Sequence, residues 1–303
     1  MAKVHKGASL HHWLRAGIAG GFCCLIVRLV QADTLHYYIA PRMELYVKLS
    51  ALGLFVLAAF QLFSAIRAAG SRPACTCVHG EESGGFRPLG YALFLLPLVL
   101  GFALPDAIMA SDIAAVKGMQ LSAASTAGQD QAPAPRPDAV PMEEPLTRDA
   151  DLAALFPSDA YTGNIAELGM KLYRQDSITV KEEGFMEILT TIDMYRANFM
   201  GKSIRISGFV YREEGMPENR FIVSRLAMQC CSADSTPYGV MVRSEEAPAY
   251  SKDTWLEVVG TIGETRYNNK EIILIDAHKI EVTEAPESPY VYPYFDDFSK
   301  LAE

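Results

Sequence analysis

Two adjacent cysteines and a nearby acidic residue are the part of this sequence best suited to chemistry. Cys230, Cys231 and Asp234 lie between two predicted strands. Thiolates and carboxylates are ligands for a soft or borderline metal ion such as Zn²⁺. A tetrahedral site needs four donors, so we expect His278 or Asp276, or a partner chain, to complete the set.

The same pair of cysteines permits two other interpretations. A thiol redox centre would require at least one cysteine with a depressed pKa. Alternatively, one thiol packs in the core as a small apolar group and the other has no role. A structural disulfide is not predicted here, because adjacent cysteines bridge only through a strained ring.

A second, weaker metal candidate lies earlier in the chain. Cys75, Cys77 and His79 alternate along a short segment and supply three donors, but a closed zinc site needs a fourth. The remaining pair, Cys23 and Cys24, lies inside an apolar run, where we expect ordinary packing.

Composition and motifs disfavour two classes of function. The formal net charge is -9, and residues 201–285 carry ten Lys and Arg against thirteen Asp and Glu, so we expect no nucleic-acid partner. The sequence has no P-loop, no nucleophile elbow and no two-histidine zinc-hydrolase motif. We therefore predict a binding protein rather than an enzyme.

The N-terminal part of the chain is predicted to be embedded in a lipid bilayer. Residues 1–110 contain three apolar segments, near 13–30, 45–66 and 89–104, which approach the roughly 20 residues that a membrane span needs. A cleaved signal peptide is the alternative for the first segment, but no small-x-small cleavage site follows it. The prediction is about three transmembrane helices.

Basic residues near the ends of these spans predict their orientation. Six lie on the side of the N-terminus and four on the opposite side. Because basic residues are enriched on the cytoplasmic side, this bias places the N-terminus in the cytoplasm and the region after the third span outside.

The rest of the chain is predicted to form a linker and a mainly-β domain. Residues 111–150 are rich in Pro, Ala and Ser and predict a disordered linker, and residues 151–200 form a mixed, partly helical lead-in. Residues 201–285 alternate with a period of two over five short segments. They predict an OB-like barrel, with a β-sandwich as the alternative. An aromatic tail, 286–303, either docks a partner or covers the barrel.

Several of these segments resemble the small subunit of a bacterial two-subunit permease family. Four stretches carry the resemblance: Tyr37-Tyr38-Ile39-x-Pro41-Arg42-Met43, Pro97 with Gly101-Phe102 and Pro105, Gly201-Lys202-x-Ile204-x-Ile206-x-Gly208-Phe209-Val210, and Arg220-Phe221 followed by Cys230-Cys231-x-Ala233-Asp234-x-x-Pro237. The double-cysteine stretch is the most specific of the four.

The resemblance implies a partner and a compartment. The partner is a larger polytopic permease subunit in the bacterial plasma (inner) membrane, docked through the spans and Tyr37, Tyr38, Pro41 and Arg42. The family is associated with metal, especially zinc, homeostasis. Its members often carry a His-rich stretch where this chain has the short CTCVH segment, which argues against metal collection there.

Two rivals to a permease subunit stay open on the sequence alone. One is a membrane-tethered thiol redox or envelope-stress protein with no transport role. The other is a structural β adaptor in which neither Cys230 nor Cys231 has a function.

Overall fold

The computed structural model describes residues 2–70, 88–104, 110–121 and 149–302. They separate into two compact units, Met1–Ala107 and Ile108–Glu303. The candidate ligands Cys75, Cys77 and His79 and most of the predicted linker lie outside the described residues.

The first unit consists of apolar helices. They are α1 Ala2–Gln31, α2 Pro41–Gly70 and α3 Pro88–Ala103. Within the described parts of the chain, two segments are long and apolar enough to cross a membrane, His11–Gln31 and Pro41–Arg67, and the apolar part of α3 is shorter, Gly90–Ala103. Two candidate spans are therefore present, against the three that the sequence predicted.

Helix α1 contacts both of the other helices. Two glycines allow α1 and α3 to approach closely: a Cβ added at Gly21 would lie 2.5 Å from the Leu98 side chain, and one at Gly101 would lie 2.9 Å from Leu25.

Two histidines on α1 add polar contacts to this unit. His11 Nδ1 lies 2.7 Å from the Tyr91 hydroxyl of α3, and His12 Nδ1 lies 2.7 Å from Gln61 Oε1 of α2. Polar contacts of this kind help to hold apolar helices together where water is scarce.

Part of the predicted linker is folded, which corrects its boundary. Helix α4, Ala110–Lys117, and the four residues after it belong to the second unit. The amide and hydroxyl of Ser111 donate hydrogen bonds to Asp253 Oδ1 at 3.0 and 2.8 Å, and Gln120 forms a parallel β-bridge with Tyr238. The prediction of disorder from residue 111 is therefore wrong up to residue 121, because the segment is ordered by tertiary contacts rather than by its own composition.

Short helices precede the sheet. They are α5 Asp149–Leu155, α6 Gly163–Tyr173, α7 Phe185–Met194 and α8 Arg196–Phe199, and strand β1, Ser177–Val180, lies between α6 and α7. Helix α7 buries Phe185, Ile188, Leu189 and Ile192, which share one face at helical spacing.

The C-terminal domain is mainly β, as predicted. Its further strands are β2 Ser203–Tyr211, β3 Arg220–Ala227, β4 Thr236–Arg243, β5 Trp255–Tyr267, β6 Lys270–Val282 and β7 Tyr290–Val291. The strand order is β1-β2-β5-β6-β4-β3-β7, and β2 also pairs with β3. The pairing of β4 with β6 is parallel, whereas β2–β3, β3–β4, β2–β5 and β5–β6 are antiparallel.

The helices and strands of this domain share one hydrophobic core. Inward residues of α6 and α7 pack with those of β1 to β6 in a single cluster. Arg225 is buried beside this core, where its guanidinium lies over the Trp255 ring, pairs with Glu182 and donates to the Ser288 carbonyl. These contacts offset part of the cost of removing the charge from water.

The aromatic tail closes one edge of the sheet. Tyr290 and Val291 are buried and form β7, which pairs in parallel with β3. The Tyr294 amide donates to Glu187 Oε1 of α7 at 3.0 Å. At least this part of the tail covers the domain.

Alanine substitutions at two glycines of β5, Gly260 and Gly263, test how closely the strands pack. A Cβ at Gly260 would lie 2.4 Å from the Asp276 carbonyl oxygen, a backbone atom that cannot move aside, so Gly260→Ala should lower the free energy of unfolding by about 1–3 kcal/mol. At Gly263 the nearest atoms are 3.6 Å away, and Gly263→Ala serves as the control.

The measurement is urea unfolding of full-length protein in a Trp13→Phe background. Trp255 is then the only tryptophan and reports on the β domain. Equal midpoints for the two variants would contradict the packing described here.

Candidate metal centre

The loop between β3 and β4 is organised by one carboxylate. Asp234 ends a short 3-10 helix, Ser232–Asp234. Its Oδ1 accepts the amide of Gln229 at 3.0 Å, and its Oδ2 accepts those of Cys230 at 2.8 Å and Cys231 at 3.4 Å. Three consecutive amides thus point to one side chain, which fixes the backbone that carries both cysteines.

The two thiols lie at a spacing that suits a metal ion. Cys230 Sγ and Cys231 Sγ are 3.6 Å apart, and the ligand atoms of both cysteines and Asp234 all lie within 4.8 Å of one another. Two sulfurs bound at about 2.3 Å to a tetrahedral ion lie about 3.8 Å apart, close to this distance. A disulfide would need about 2.05 Å. Cys230 is exposed and Cys231 is half-buried, and both are free thiols.

The electrostatics of the loop keep Cys230 protonated. Hydrogen bonds to Asp234 and Cys231 raise the pKa of the Cys230 thiol to about 12. Partial burial acts to raise the pKa of Asp234, but hydrogen bonds from the Cys230 thiol and from the three loop amides outweigh it, and the net shift is downward. Asp234 therefore carries its charge at neutral pH.

Helix α4 holds the far side of the loop. Lys117 Nζ donates to the carbonyl oxygens of Ala233 at 2.8 Å and Ser235 at 2.6 Å. The buried Ser235 hydroxyl donates to the Ser232 carbonyl at 2.7 Å. The sequence pattern gave no signal for Lys117, because it falls in the predicted linker and comes close only through the fold.

His278 and Asp276 do not join this group, which corrects the predicted fourth ligand. His278 Nε2 lies 2.6 Å from Thr261 Oγ1, and Asp276 Oδ1 accepts a hydrogen bond from Arg243 Nε at 2.6 Å. Asp276 pairs with Arg243, the last residue of β4. The cysteine loop, in contrast, comes just before Thr236, the first residue of β4. The eight residues of β4 span about 26 Å, so the two places lie at opposite ends of the strand. Among the described residues, the metal-ligating group has three members.

The residues predicted to dock a partner lie between α1 and α2. Tyr37 ends a 3-10 helix, Tyr38 is exposed, and Pro41 and Arg42 form the exposed first turn of α2. Proline suits the first position of a helix because the amide it lacks would have no helical partner there.

The fold and this centre define a class of protein: a membrane-associated chain whose separate mainly-β domain presents a vicinal dithiol and a carboxylate. Residues 14–120 match the DUF1980 N-terminal domain, and residues 155–293 match the DUF1980 C-terminal domain. The chain belongs to the DUF1980 family.

Two relatives show the extent of the similarity. The chain is 27% identical over 211 residues to the UPF0703 protein YcgQ of Bacillus subtilis, covering 69% of this chain and 70% of the relative. It is 24% identical over 220 residues to a Streptococcus mutans protein named "Putative two-component membrane permease complex subunit", covering 71% of this chain and 76% of the relative.

The role of Asp234 predicts an effect on thiol reactivity. Asp234→Asn replaces the charged carboxylate that accepts the hydrogen bond of the Cys230 thiol, so the pKa of Cys230 should fall toward the ordinary value and its thiolate fraction at pH 8 should rise. We expect alkylation of Cys230 to accelerate at least about tenfold, measured by peptide mass spectrometry of the full-length protein. Asp276 lies on β6 beside the far end of β4, so Asp276→Asn should leave the alkylation rate of Cys230 unchanged. A slower or equal rate in Asp234→Asn would contradict this account.

The Lys117 contacts predict local protection of the loop. Lys117→Met removes both hydrogen bonds, so hydrogen–deuterium exchange should accelerate in residues 233–235 and change little in the core strands. Lys270→Met, on an exposed part of β6, is the matched control. Unchanged exchange in the loop would show that Lys117 does not hold it.

Proposed function

We propose that this protein is a membrane-anchored accessory subunit of a permease. We further propose that its β domain captures a metal ion of the zinc type at Cys230, Cys231 and Asp234. The observation that carries the metal assignment is the convergence of two thiols and a charged carboxylate within 4.8 Å on a loop held by backbone hydrogen bonds. Its role is binding, and no reaction is assigned to it.

The permease part of the proposal is supported by a relative and by the membrane unit itself. The Streptococcus mutans relative is named as a permease complex subunit. Two or three thin helices make a poor transport path on their own, so a larger polytopic partner would supply it. The exposed Tyr38, Pro41 and Arg42, together with Tyr37, are the proposed docking residues.

We also infer that α3 is a third span. Its 16 residues are about 24 Å long, somewhat less than the bilayer core. The close approach of Gly21 to Leu98 and the contact of His11 with Tyr91 support a membrane bundle that includes α3. With the N-terminus cytoplasmic, as the basic residues favour, three spans leave the β domain outside the cytoplasm.

An OB-type barrel is the proposed form of the β domain. Each of β2 to β6 pairs with two others of the set, in the circuit β2-β3-β4-β6-β5-β2. Gly208 and Gly260 support the bends that such closure needs, since a Cβ at either would lie 2.4 Å from a backbone oxygen of a neighbouring strand.

The thiol redox alternative receives less support. A reactive thiol has a depressed pKa, whereas hydrogen bonds in this loop raise that of Cys230. The loop stabilises the protonated form of the Cys230 thiol, and on metal binding the cation would replace that proton on the sulfur.

Co-purification tests the subunit assignment. The tagged full-length protein, extracted from native membranes in mild detergent, should recover a stoichiometric polytopic partner identified by mass spectrometry. The pair Tyr38→Ala and Arg42→Glu should reduce that recovery at least about fivefold, because both changes alter the proposed docking surface. Lys252→Glu, in the β domain, is the control.

Recovery of the protein alone across several mild detergents would contradict the assignment to a permease complex. A Cys230→Ser, Cys231→Ser variant should keep the partner, since its changes lie outside the proposed docking surface.

A further inference from the structure

The cysteine loop offers fewer donors than a closed metal site requires. Structural zinc sites have four protein ligands, whereas the group formed by Cys230, Cys231 and Asp234 has three among the described residues. We propose that this group is an open exchange site for a thiophilic d10 cation such as Zn²⁺ or Cd²⁺, in which a second molecule supplies the fourth ligand when it delivers or removes the ion. This inference rests on the proposed function, since it concerns the same three residues.

The neighbouring backbone is not arranged to close the site. The carbonyl oxygens on either side of Asp234, those of Ala233 and Ser235, already accept hydrogen bonds from Lys117. The Ser235 hydroxyl is buried and bonded to the Ser232 carbonyl. These nearby oxygens are therefore committed to the fold.

The loop is organised before any ion arrives. Asp234 fixes three consecutive amides, and the sulfurs lie 3.6 Å apart, close to the edge of a tetrahedral ion. A preorganised site avoids the ordering cost that a flexible pair of cysteines would meet on binding. Cys230 is exposed, so a second molecule can reach an ion held there.

The exchange balances without a redox step. On capture, the dication forms one bond to each sulfur and one to the carboxylate, two thiol protons pass to solvent, and water occupies the fourth position. An incoming donor replaces that water. On release, bonds from the acceptor replace both metal–sulfur bonds and the metal–carboxylate bond, and each thiolate regains a proton from solvent.

Cobalt(II) reports on this geometry through its colour. Full-length protein in detergent should bind Co²⁺ with a thiolate-to-metal charge-transfer band, and added imidazole should shift the d–d bands as it enters the fourth position. Cys230→Ser or Cys231→Ser should weaken binding at this site at least about 100-fold, since even residues outside the ligand shell change metal affinity 10- to 100-fold. His278→Gln should change nothing, and a Cys75→Ser, Cys77→Ser background separates the other candidate cluster.

The outcomes distinguish this inference from the proposed function. A cysteine-dependent spectrum that does not respond to imidazole would overturn the open site but leave metal capture standing. A cobalt spectrum unchanged by Cys230→Ser and Cys231→Ser, or absent altogether in the Cys75→Ser, Cys77→Ser background, would overturn both metal assignments. The permease assignment is then judged by co-purification alone.

Discussion

The proposed chemistry depends on one interaction, the capture of three backbone amides by the Asp234 carboxylate. Without it, Gln229, Cys230 and Cys231 would belong to an ordinary turn whose side chains adopt many relative positions. With it, two thiols and a negative charge share a small volume. A carboxylate has about four lone-pair sites, so these three amides and the Cys230 thiol fill it, and loss of the thiol proton would leave one site for a metal ion.

The loop is tied to elements that are distant in sequence. Lys117 comes from α4, more than 100 residues earlier, and its two hydrogen bonds hold the carbonyls that flank Asp234. Gln120 then pairs with Tyr238 at the start of β4. Helix α4 and the residues that follow it to Gln120 therefore support the same loop that presents the cysteines.

Local patterns in the sequence predicted much of this structure. The alternation in residues 201–285 predicted the strands, and the partly helical lead-in predicted over residues 151–200 contains most of α5 and all of α6 to α8. The close spacing of Cys230, Cys231 and Asp234 survives folding because all three lie in one loop. The fourth ligand was mispredicted because His278 depends on strand register, which places it at the other end of β4. Lys117 was missed because its segment is ordered by tertiary packing, which its composition does not reveal.

X-ray absorption at the zinc edge tests the central claim most directly. The sample is full-length protein purified from native membranes, with Cys75 and Cys77 replaced by serine. The thiols that remain are then Cys230 and Cys231 of the β domain and Cys23 and Cys24 of the apolar helix α1. The account predicts two sulfur ligands at about 2.3 Å and lighter oxygen or nitrogen ligands at about 2.0–2.2 Å. A coordination shell without sulfur, or one unchanged when Cys230 and Cys231 are also replaced, would contradict it.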